Sequence, residues 1–140
     1  MTDPAPLLLD THVWLWMMLG DETLAEPVRE RIREAARLDR VQVAAISLWE
    51  VAMLHQRGHL VLNIPPLQWI HSALTAPGIT VAPLTPTIAM DSVALPNLNH
   101  KDPADRMILA TARVEKAILL TRDQRMLDYA SQGHVAVLAA

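Results

Sequence analysis

Residues 7–19 read Leu-Leu-Leu-Asp-Thr-His-Val-Trp-Leu-Trp-Met-Met-Leu, an apolar stretch interrupted by an acid at Asp10. The three leucines are typical of a buried strand, and residues 11–19 are typical of a helix that is apolar on nearly every side. A carboxylate between two buried elements is costly unless hydrogen-bond donors or a cation satisfy it. The stretch therefore predicts a strand–helix unit with Asp10 at the carboxyl end of the strand.

Short apolar runs and helical patterns alternate along the rest of the chain. Further strands are predicted at residues 41–46, 79–82, 117–120 and 135–138. Helices are predicted at residues 24–38, 47–56, 86–95, 103–116 and 124–130, and between Pro65-Pro66 and Pro77-Gly78. This alternation implies βαβ units and an α/β fold with a mostly parallel sheet. The length of 140 residues fits a single domain over residues 1–140.

Composition narrows the class of protein. The net charge of −3 argues against a protein that coats nucleic acid by bulk attraction, but not against an enzyme that acts on it. The absence of cysteine excludes disulfides and thiolate-bound zinc. The longest apolar run, residues 13–19, is far shorter than the roughly 20 residues that span a bilayer, and the N-terminus lacks the positive region of a signal peptide. We expect a soluble, cytoplasmic protein.

Four acids fall where a parallel sheet places a ligand site. Asp10 ends the first strand, and Asp123 lies just beyond the fourth. Glu50 is expected in the first turn of the helix after strand two, and Asp105 in the first turn of the helix before strand four. Because ligands bind beyond the carboxyl ends of parallel strands, we expect these four carboxylates to converge.

Each acid also has a purely structural interpretation. Ser47-Leu-Trp-Glu50 fits a capping box, in which Glu50 only bonds back to the amide of Ser47. A role in capping a helix N-terminus is the alternative for the others, namely Asp10, Asp123, Asp102 before Pro103, and Asp105 as the third residue of that same box. For Asp102 we favour the capping role.

Clustered carboxylates repel one another at neutral pH, and hard divalent cations remove that penalty. Magnesium prefers oxygen ligands and is usually held by one or two carboxylates together with water. A pair of such ions can activate a water and stabilise the leaving oxygen of a phosphodiester. The pattern therefore favours metal-dependent phosphodiester hydrolysis.

Four segments, taken in order, resemble PIN-domain proteins and in particular the VapC ribonuclease toxins of bacterial toxin–antitoxin systems. They are Leu7-Leu-Leu-Asp-Thr-His-Val-Trp-Leu-Trp16, Ile46-Ser-Leu-Trp-Glu-Val-Ala52, Asp102-Pro-Ala-Asp-Arg-Met-Ile-Leu-Ala-Thr-Ala112 and Leu119-Leu-Thr-Arg-Asp123. The similarity covers nearly the whole chain, and the motifs are specific in combination.

The resemblance implies a Rossmann-like three-layer α/β/α domain with a central, mostly parallel sheet. It also implies that Asp10, Glu50, Asp105 and Asp123 are catalytic and bind Mg²⁺, with Mn²⁺ as a substitute. The implied activity is endonucleolytic cleavage of RNA, often tRNA or rRNA. The implied partner is a VapB-type antitoxin whose tail wraps the toxin and reaches the acidic site, and a homodimer is typical.

Other residues near the motifs leave alternatives open. Trp and Met residues at positions 14, 16–18, 49 and 53 are expected to pack the core or to form a groove for a partner helix, rather than to stack on RNA bases. Arg106 and Arg122 flank two of the acids and are expected either to hold phosphate or to pair with carboxylates. His12 follows Asp10 by two residues and could face the site, but a packing or surface role is favoured.

Two further functions are consistent with the same acids. One is a PIN-type nuclease of RNA processing or DNA repair, although 140 residues leave no accessory domain to thread a substrate. The other is an acid-rimmed binding module that recruits a basic peptide and cleaves nothing.

Overall fold

The fold is built around a five-stranded sheet, seen in a computed structural model that describes residues 4–140. The strands are β1 (Leu7–Leu9), β2 (Val41–Ala44), β3 (Ile79–Ala82), β4 (Ile118–Thr121) and β5 (Ala136–Ala139). Their order in the sheet is β3-β2-β1-β4-β5, and all four pairings are parallel. The predicted α/β class with a parallel sheet is confirmed.

Seven helices connect the strands of the described chain. They are α1 (Thr11–Leu19), α2 (Glu26–Arg37), α3 (Ala45–Gln56), α4 (Pro66–Leu74), α5 (Pro86–Val93), α6 (Pro103–Glu115) and α7 (Gln124–Ala130). The predicted order of elements is confirmed, with one boundary that matters for the site. β2 stops at Ala44 and α3 begins at Ala45, two residues before the predicted start of the helix. Within residues 4–140, no helix is both long and apolar enough to cross a membrane.

The two faces of the sheet bury separate apolar clusters. Leu7 and Leu9 of β1 belong to one cluster, together with residues of α1, α2 and α4. Leu8 faces the other side and belongs to a second cluster with residues of α6 and α7. Because successive side chains of a strand point to opposite faces, a strand of three leucines needs cover on both sides. The result is the expected three-layer α/β/α arrangement.

The direction in which successive strands are added to the sheet reverses at β1. The chain continues from β1 to β2 on one side, and it returns later to place β4 on the other side. Leu9 is in register with Val43 of β2 and with Leu120 of β4, so the three strands end at nearly the same level. Such a switch in strand order opens a crevice at the carboxyl ends of the strands. The predicted site lies at this crevice.

Candidate active site

All four predicted acids line one cleft of about 470 Å³, which we call the acidic pocket. Asp102 contributes a fifth carboxylate to its lining. The cleft is also lined by His12, Val13, Trp16, Arg122 and Arg125. The predicted convergence of Asp10, Glu50, Asp105 and Asp123 is therefore what the fold produces.

Asp10 is held at the floor of the acidic pocket. It follows β1 directly, is only 9% exposed, and caps α1 by accepting a hydrogen bond from the Thr11 amide at 2.8 Å. Its other oxygen, Oδ2, accepts a hydrogen bond from the Thr121 hydroxyl at 2.6 Å. Thr121 also accepts a hydrogen bond from the Asp123 amide at 3.0 Å. A hydroxyl at the end of β4 thus fixes two of the predicted acids relative to each other.

Glu50 does not belong to a capping box. α3 has Ala44 at its N-cap without a side-chain cap, so Glu50 lies in the second turn and Ser47 lies inside the helix, fully buried. The Thr11 hydroxyl donates to Glu50 Oε1 at 2.6 Å, and Ser47 Oγ lies 2.8 Å from the same hydroxyl oxygen. Because Thr11 has a single hydroxyl proton, Ser47 must be the donor in that second bond. Thr11 of α1, itself bonded by Ser47, therefore orients the Glu50 side chain through this pair of hydrogen bonds.

Asp105 lies in the first turn of α6, as predicted, beside the residue that caps this helix. The cap is Asp102, whose Oδ1 accepts from the amides of Ala104 at 2.9 Å and Asp105 at 3.2 Å. The predicted capping role of Asp102 is confirmed. The Asp105 side chain itself is bonded elsewhere, because His100 Nε2 lies 2.5 Å from Asp105 Oδ2.

Asp123 combines a structural position with a place in the pocket. Its Oδ1 caps α7 by accepting from the Arg125 amide at 2.8 Å, and the Arg125 guanidinium lies 3.6 Å from its Oδ2. The capping alternative for this residue is therefore confirmed, and the carboxylate lines the acidic pocket as well.

Ionisation of the carboxyl groups in the acidic pocket is unfavourable. Burial raises the pKa of Asp10, Asp105 and Glu50, and for each of them loss of water is the largest cause. The pKa of Glu50 rises from 4.5 to about 7, because the negative charges of Asp10, Asp105 and Asp102 add to the effect of burial. Hydrogen bonds from Thr11, Thr121 and His100 offset part of these shifts. The protein thus holds its acids in a place where negative charge is poorly compensated.

The donor set fits a hard divalent cation. Five carboxylates face one cleft, and three of them are held with raised pKa values, a penalty that a cation would relieve. Among residues 4–140, no three His, Asp or Glu side chains are placed so that together they could hold a metal ion. Both oxygens of Asp10 and one oxygen of Asp105 are engaged in hydrogen bonds instead. Binding of an ion between these acids therefore requires their side chains to move.

The arginines next to two of the acids differ in role. Arg106 neither lines the acidic pocket nor pairs with its acids, so the predicted ion pair is wrong, while a phosphate contact stays a prediction. It donates to four backbone carbonyls, those of Ser92, Val93, Leu98 and His100. Arg122 donates to backbone carbonyls of Thr23 and Ala140, lies 4.8 Å above the Trp16 ring and lines the pocket. A contact of Arg122 with phosphate remains a prediction.

The tryptophans separate into core and surface residues. Trp14 is fully buried and contacts the Trp69 ring at a centroid distance of 5.4 Å, as expected for core packing. Trp16 and His12 lie on the rim of the acidic pocket, with ring centroids 6.0 Å apart. His12 is exposed, as expected for a surface residue, and it also faces the site, which was the less favoured alternative. Trp49 is different, because 55% of it is exposed on α3.

Trp49 lies in a second cleft, of about 450 Å³, which we call the α3–α6 groove. Its mainly apolar lining includes Trp49 and Met53 of α3 and Met107 of α6. Glu50 and Asp102 line both the groove and the acidic pocket, so the two clefts adjoin at these acids. A ligand that fills the groove would reach the acids.

The sequence did not single out four residues that hold the acids. Thr11, Ser47 and Thr121 supply hydroxyl donors, and His100 supplies a ring nitrogen. Thr11 and Thr121 adjoin or closely precede predicted acids, which is a signal that could have identified them. The sequence indicated Ser47 only as a capping residue and gave no signal for His100, because their contacts depend on the packing of separate helices and loops.

Comparison with known proteins agrees with this architecture. Residues 7–132 match the PIN domain. The chain is 35% identical over 131 residues to Ribonuclease VapC22 of Mycobacterium tuberculosis, covering 94% of this chain and 97% of that protein. In fold it resembles a chain of the DNA-bound VapBC structure from Salmonella typhimurium (TM-score 0.71, 15% identity, 97% and 98% of the two chains). It also resembles a chain of FitAcB from Neisseria gonorrhoeae (TM-score 0.61, 23% identity, 94% and 96%). The chain therefore belongs to the PIN-domain family, as a member of its VapC type.

Proposed function

We propose that this protein is a metal-dependent endoribonuclease, the toxin of a VapBC-type toxin–antitoxin system. The observation that carries the proposal is the convergence of four carboxylates in one pocket at the switch point of a parallel sheet. The relative that is 35% identical over most of its length bears the name ribonuclease, which supports RNA as the substrate.

In this proposal Asp10, Glu50, Asp105 and Asp123 hold Mg²⁺, for which Mn²⁺ can substitute. When bound at such a site, divalent ions lower the pKa of water and offset the charge that develops on a phosphodiester. The acids of the chain contribute position, because Asp10 is bonded through both oxygens and Glu50 is bonded by Thr11.

The rim of the acidic pocket supplies positive charge for the substrate. Arg122 is fixed by two carbonyls and by its contact with Trp16, and Arg125 lies beside Asp123. Guanidinium groups are suited to phosphate because they present paired donors. We propose that these two arginines bind phosphates next to the scissile bond, while the overall charge of −3 keeps non-specific binding weak.

A cleavage assay with a panel of substrates tests the proposal. Purified protein is incubated with tRNA, rRNA fragments, single-stranded RNA and flapped DNA, with Mg²⁺, with Mn²⁺ or with a chelator. We expect metal-dependent cleavage of RNA in this assay. In the cell we expect the protein to act in the cytoplasm, predominantly on tRNA or rRNA. Cleavage of flapped DNA alone would favour a DNA-repair nuclease. Mn²⁺ binding without cleavage of any substrate would favour a non-catalytic binding module.

We also propose that a VapB-type antitoxin binds the α3–α6 groove. Exposed Trp49, together with Met53 and Met107, gives the groove the apolar surface that an amphipathic segment needs, and the shared acids would receive a basic side chain. Trp49→Ala should weaken inhibition by the co-encoded antitoxin, whereas Leu67→Ala, at an exposed residue of α4, should not. Equal inhibition of both variants would contradict this placement. The expected homodimer is tested by light scattering on the same samples.

A further inference from the structure

Two side chains, buried Tyr129 and half-buried Arg106, hold the connection between α5 and α6, residues 94–102. The hydroxyl of Tyr129 donates to the Pro96 carbonyl at 2.7 Å. Arg106 of α6 donates to the carbonyls of Leu98 at 3.3 Å and His100 at 2.9 Å. Arg106 also bonds the end of α5 through the Ser92 carbonyl at 2.7 Å. Residues without helix or strand structure are thereby held in one place.

This fastening presents His100 to Asp105. His100 Nε2 lies 2.5 Å from Asp105 Oδ2, and the two side chains are only 9% and 14% exposed. The backbone carbonyl of His100 is bonded by Arg106, the residue that follows Asp105 on α6. Both partners are therefore fixed from the same turn of one helix, and their contact is shielded from water.

We infer that His100 is a positioning residue, which holds Asp105 so that its remaining oxygen faces the acidic pocket. With Asp105 ionised, the N–H group at Nε2 of His100 donates a hydrogen bond to Oδ2 of Asp105. The other oxygen, Oδ1, is then left for an ion. Carboxylates and imidazoles that bind metals are commonly oriented by such partners, and loss of the partner costs about 10- to 100-fold in metal affinity or activity. This inference rests on the proposed metal-binding function.

The alternative is that the pair only stabilises the 94–102 connection. A purely structural pair would affect the melting temperature without a specific effect on ion binding. A positioning pair requires a donor at the place of Nε2, and a glutamine amide can supply one while an alanine cannot. The two roles are therefore distinguished by a rescue experiment.

Mn²⁺ affinity is measured by calorimetry on wild-type protein, His100→Ala, His100→Gln and the control His71→Ala, at an exposed residue of α4. We expect His100→Ala to weaken binding about 10- to 100-fold. We expect His100→Gln to recover most of the affinity, and His71→Ala to bind like wild type. In an Asp105→Asn background, His100→Ala should cause little further loss, because the residue through which it acts is already altered. Melting curves of the same samples verify that each variant folds.

The outcomes separate the inference from the function on which it rests. Wild-type Mn²⁺ affinity in folded His100→Ala would overturn the inference and leave the proposed function intact. A His100→Gln variant as weak as His100→Ala would also overturn it, because a donor at that position would then not suffice. Absence of Mn²⁺ binding by the wild-type protein would overturn the proposed function itself. If His100→Ala does not fold, His100→Leu, which fills the space of the ring but has no donor, takes its place in the same comparisons.

Discussion

Two glutamates of this chain occupy opposite environments. The Glu30 side chain on α2 is 44% exposed, Arg33 and Arg37 lie 3.1 and 3.4 Å from its carboxylate, and these contacts hold its pKa below the usual value. Glu50 is partly buried on α3, accepts a hydrogen bond from a neutral hydroxyl and faces other carboxylates. Its pKa rises to about 7. The same side chain is thus easy to ionise on one helix and difficult to ionise on the other.

The difference indicates which carboxylates of the protein would be stabilised by a bound cation. Glu26 and Glu30 of α2 are paired with arginines one or two turns away, as is common on solvated helices. The acids of the acidic pocket bear a desolvation cost that their hydroxyl and imidazole partners only reduce. A cluster of this kind is stabilised by a bound cation, and the following predictions test that contrast.

The largest expected effect is on catalysis. Asp10→Asn and Asp105→Asn each keep the shape of the side chain but remove a charge from the acidic pocket. We expect metal-dependent RNA cleavage to fall by more than about 100-fold, beyond the loss expected from removing a partner of a ligand. Cleavage rates and growth inhibition are measured, with Glu30→Gln as the control. Full activity of either folded pocket variant would refute the assignment of the acids.

The next effect is stabilisation by a cation. Because an ion relieves repulsion only in the folded state, Mg²⁺ at about 100 times its dissociation constant should raise the free energy of unfolding by about 2.7 kcal/mol. Urea unfolding at pH 8, with Mg²⁺ and with a chelator, measures this difference. Asp10→Asn should reduce the gain strongly, while Glu30→Gln should keep it. An equal gain in both variants would place the ion elsewhere.

A smaller effect concerns the pH dependence of metal-free stability. Between pH 4.5 and about 7, folded Glu50 retains a proton that the unfolded chain has already released, so stability falls as pH rises through this window. Glu50→Gln removes the charge and should raise the free energy of unfolding by about 1–3 kcal/mol at pH 8, with almost no change at pH 4. Unfolding curves in a chelator at the two pH values test this. A loss of stability at pH 8 would show that the charge of Glu50 is well compensated.

The smallest effect is expected on α2. The lowered pKa of Glu30 means that its contribution is present above its unfolded pKa and is lost as pH falls through the folded value. Because the pairs are exposed, screening keeps them weak. Glu30→Gln should therefore be indistinguishable from wild type in unfolding curves at pH 8. A clear destabilisation would mean that the arginine pairs of α2 contribute more than surface pairs usually do.

The placement of Asp10 and Asp123 could be predicted because it depends on local pattern and one general rule. Apolar runs mark the strands, and the carboxyl ends of parallel strands meet at one edge of the sheet. Asp105 followed in the same way from the strong start signal of α6 at Asp102-Pro103. These residues need no knowledge of distant packing.

The surroundings of Glu50 could not be predicted in this way. The Ser47-x-x-Glu50 pattern predicts a cap, but nothing in Ala44-Ala45-Ile46 prevents the helix from starting earlier, and it does. Ser47 is then turned toward Thr11, 36 residues earlier in the chain. A contact between residues so far apart is decided by how α1 packs against α3, which local sequence does not record.

The role of Arg106 has the same origin. Its position beside Asp105 favoured an ion pair or a phosphate contact, whereas the folded chain surrounds it with carbonyls of the 94–102 connection and of α5. Unpaired carbonyls at the end of a helix and in a loop need donors, and a guanidinium can serve several at once. Which carbonyls need a donor becomes evident only once the loop has a defined path.

The most direct test of the central claim is to locate an ion in the acidic pocket. Crystals of the protein grown with Mn²⁺ are measured for anomalous scattering. We expect a peak within about 2.1 Å of carboxylate oxygens of Asp10 and Asp105, which disappears in crystals of Asp10→Asn. A peak that survives this substitution, or Mn²⁺ bound only outside the acidic pocket, would contradict the account.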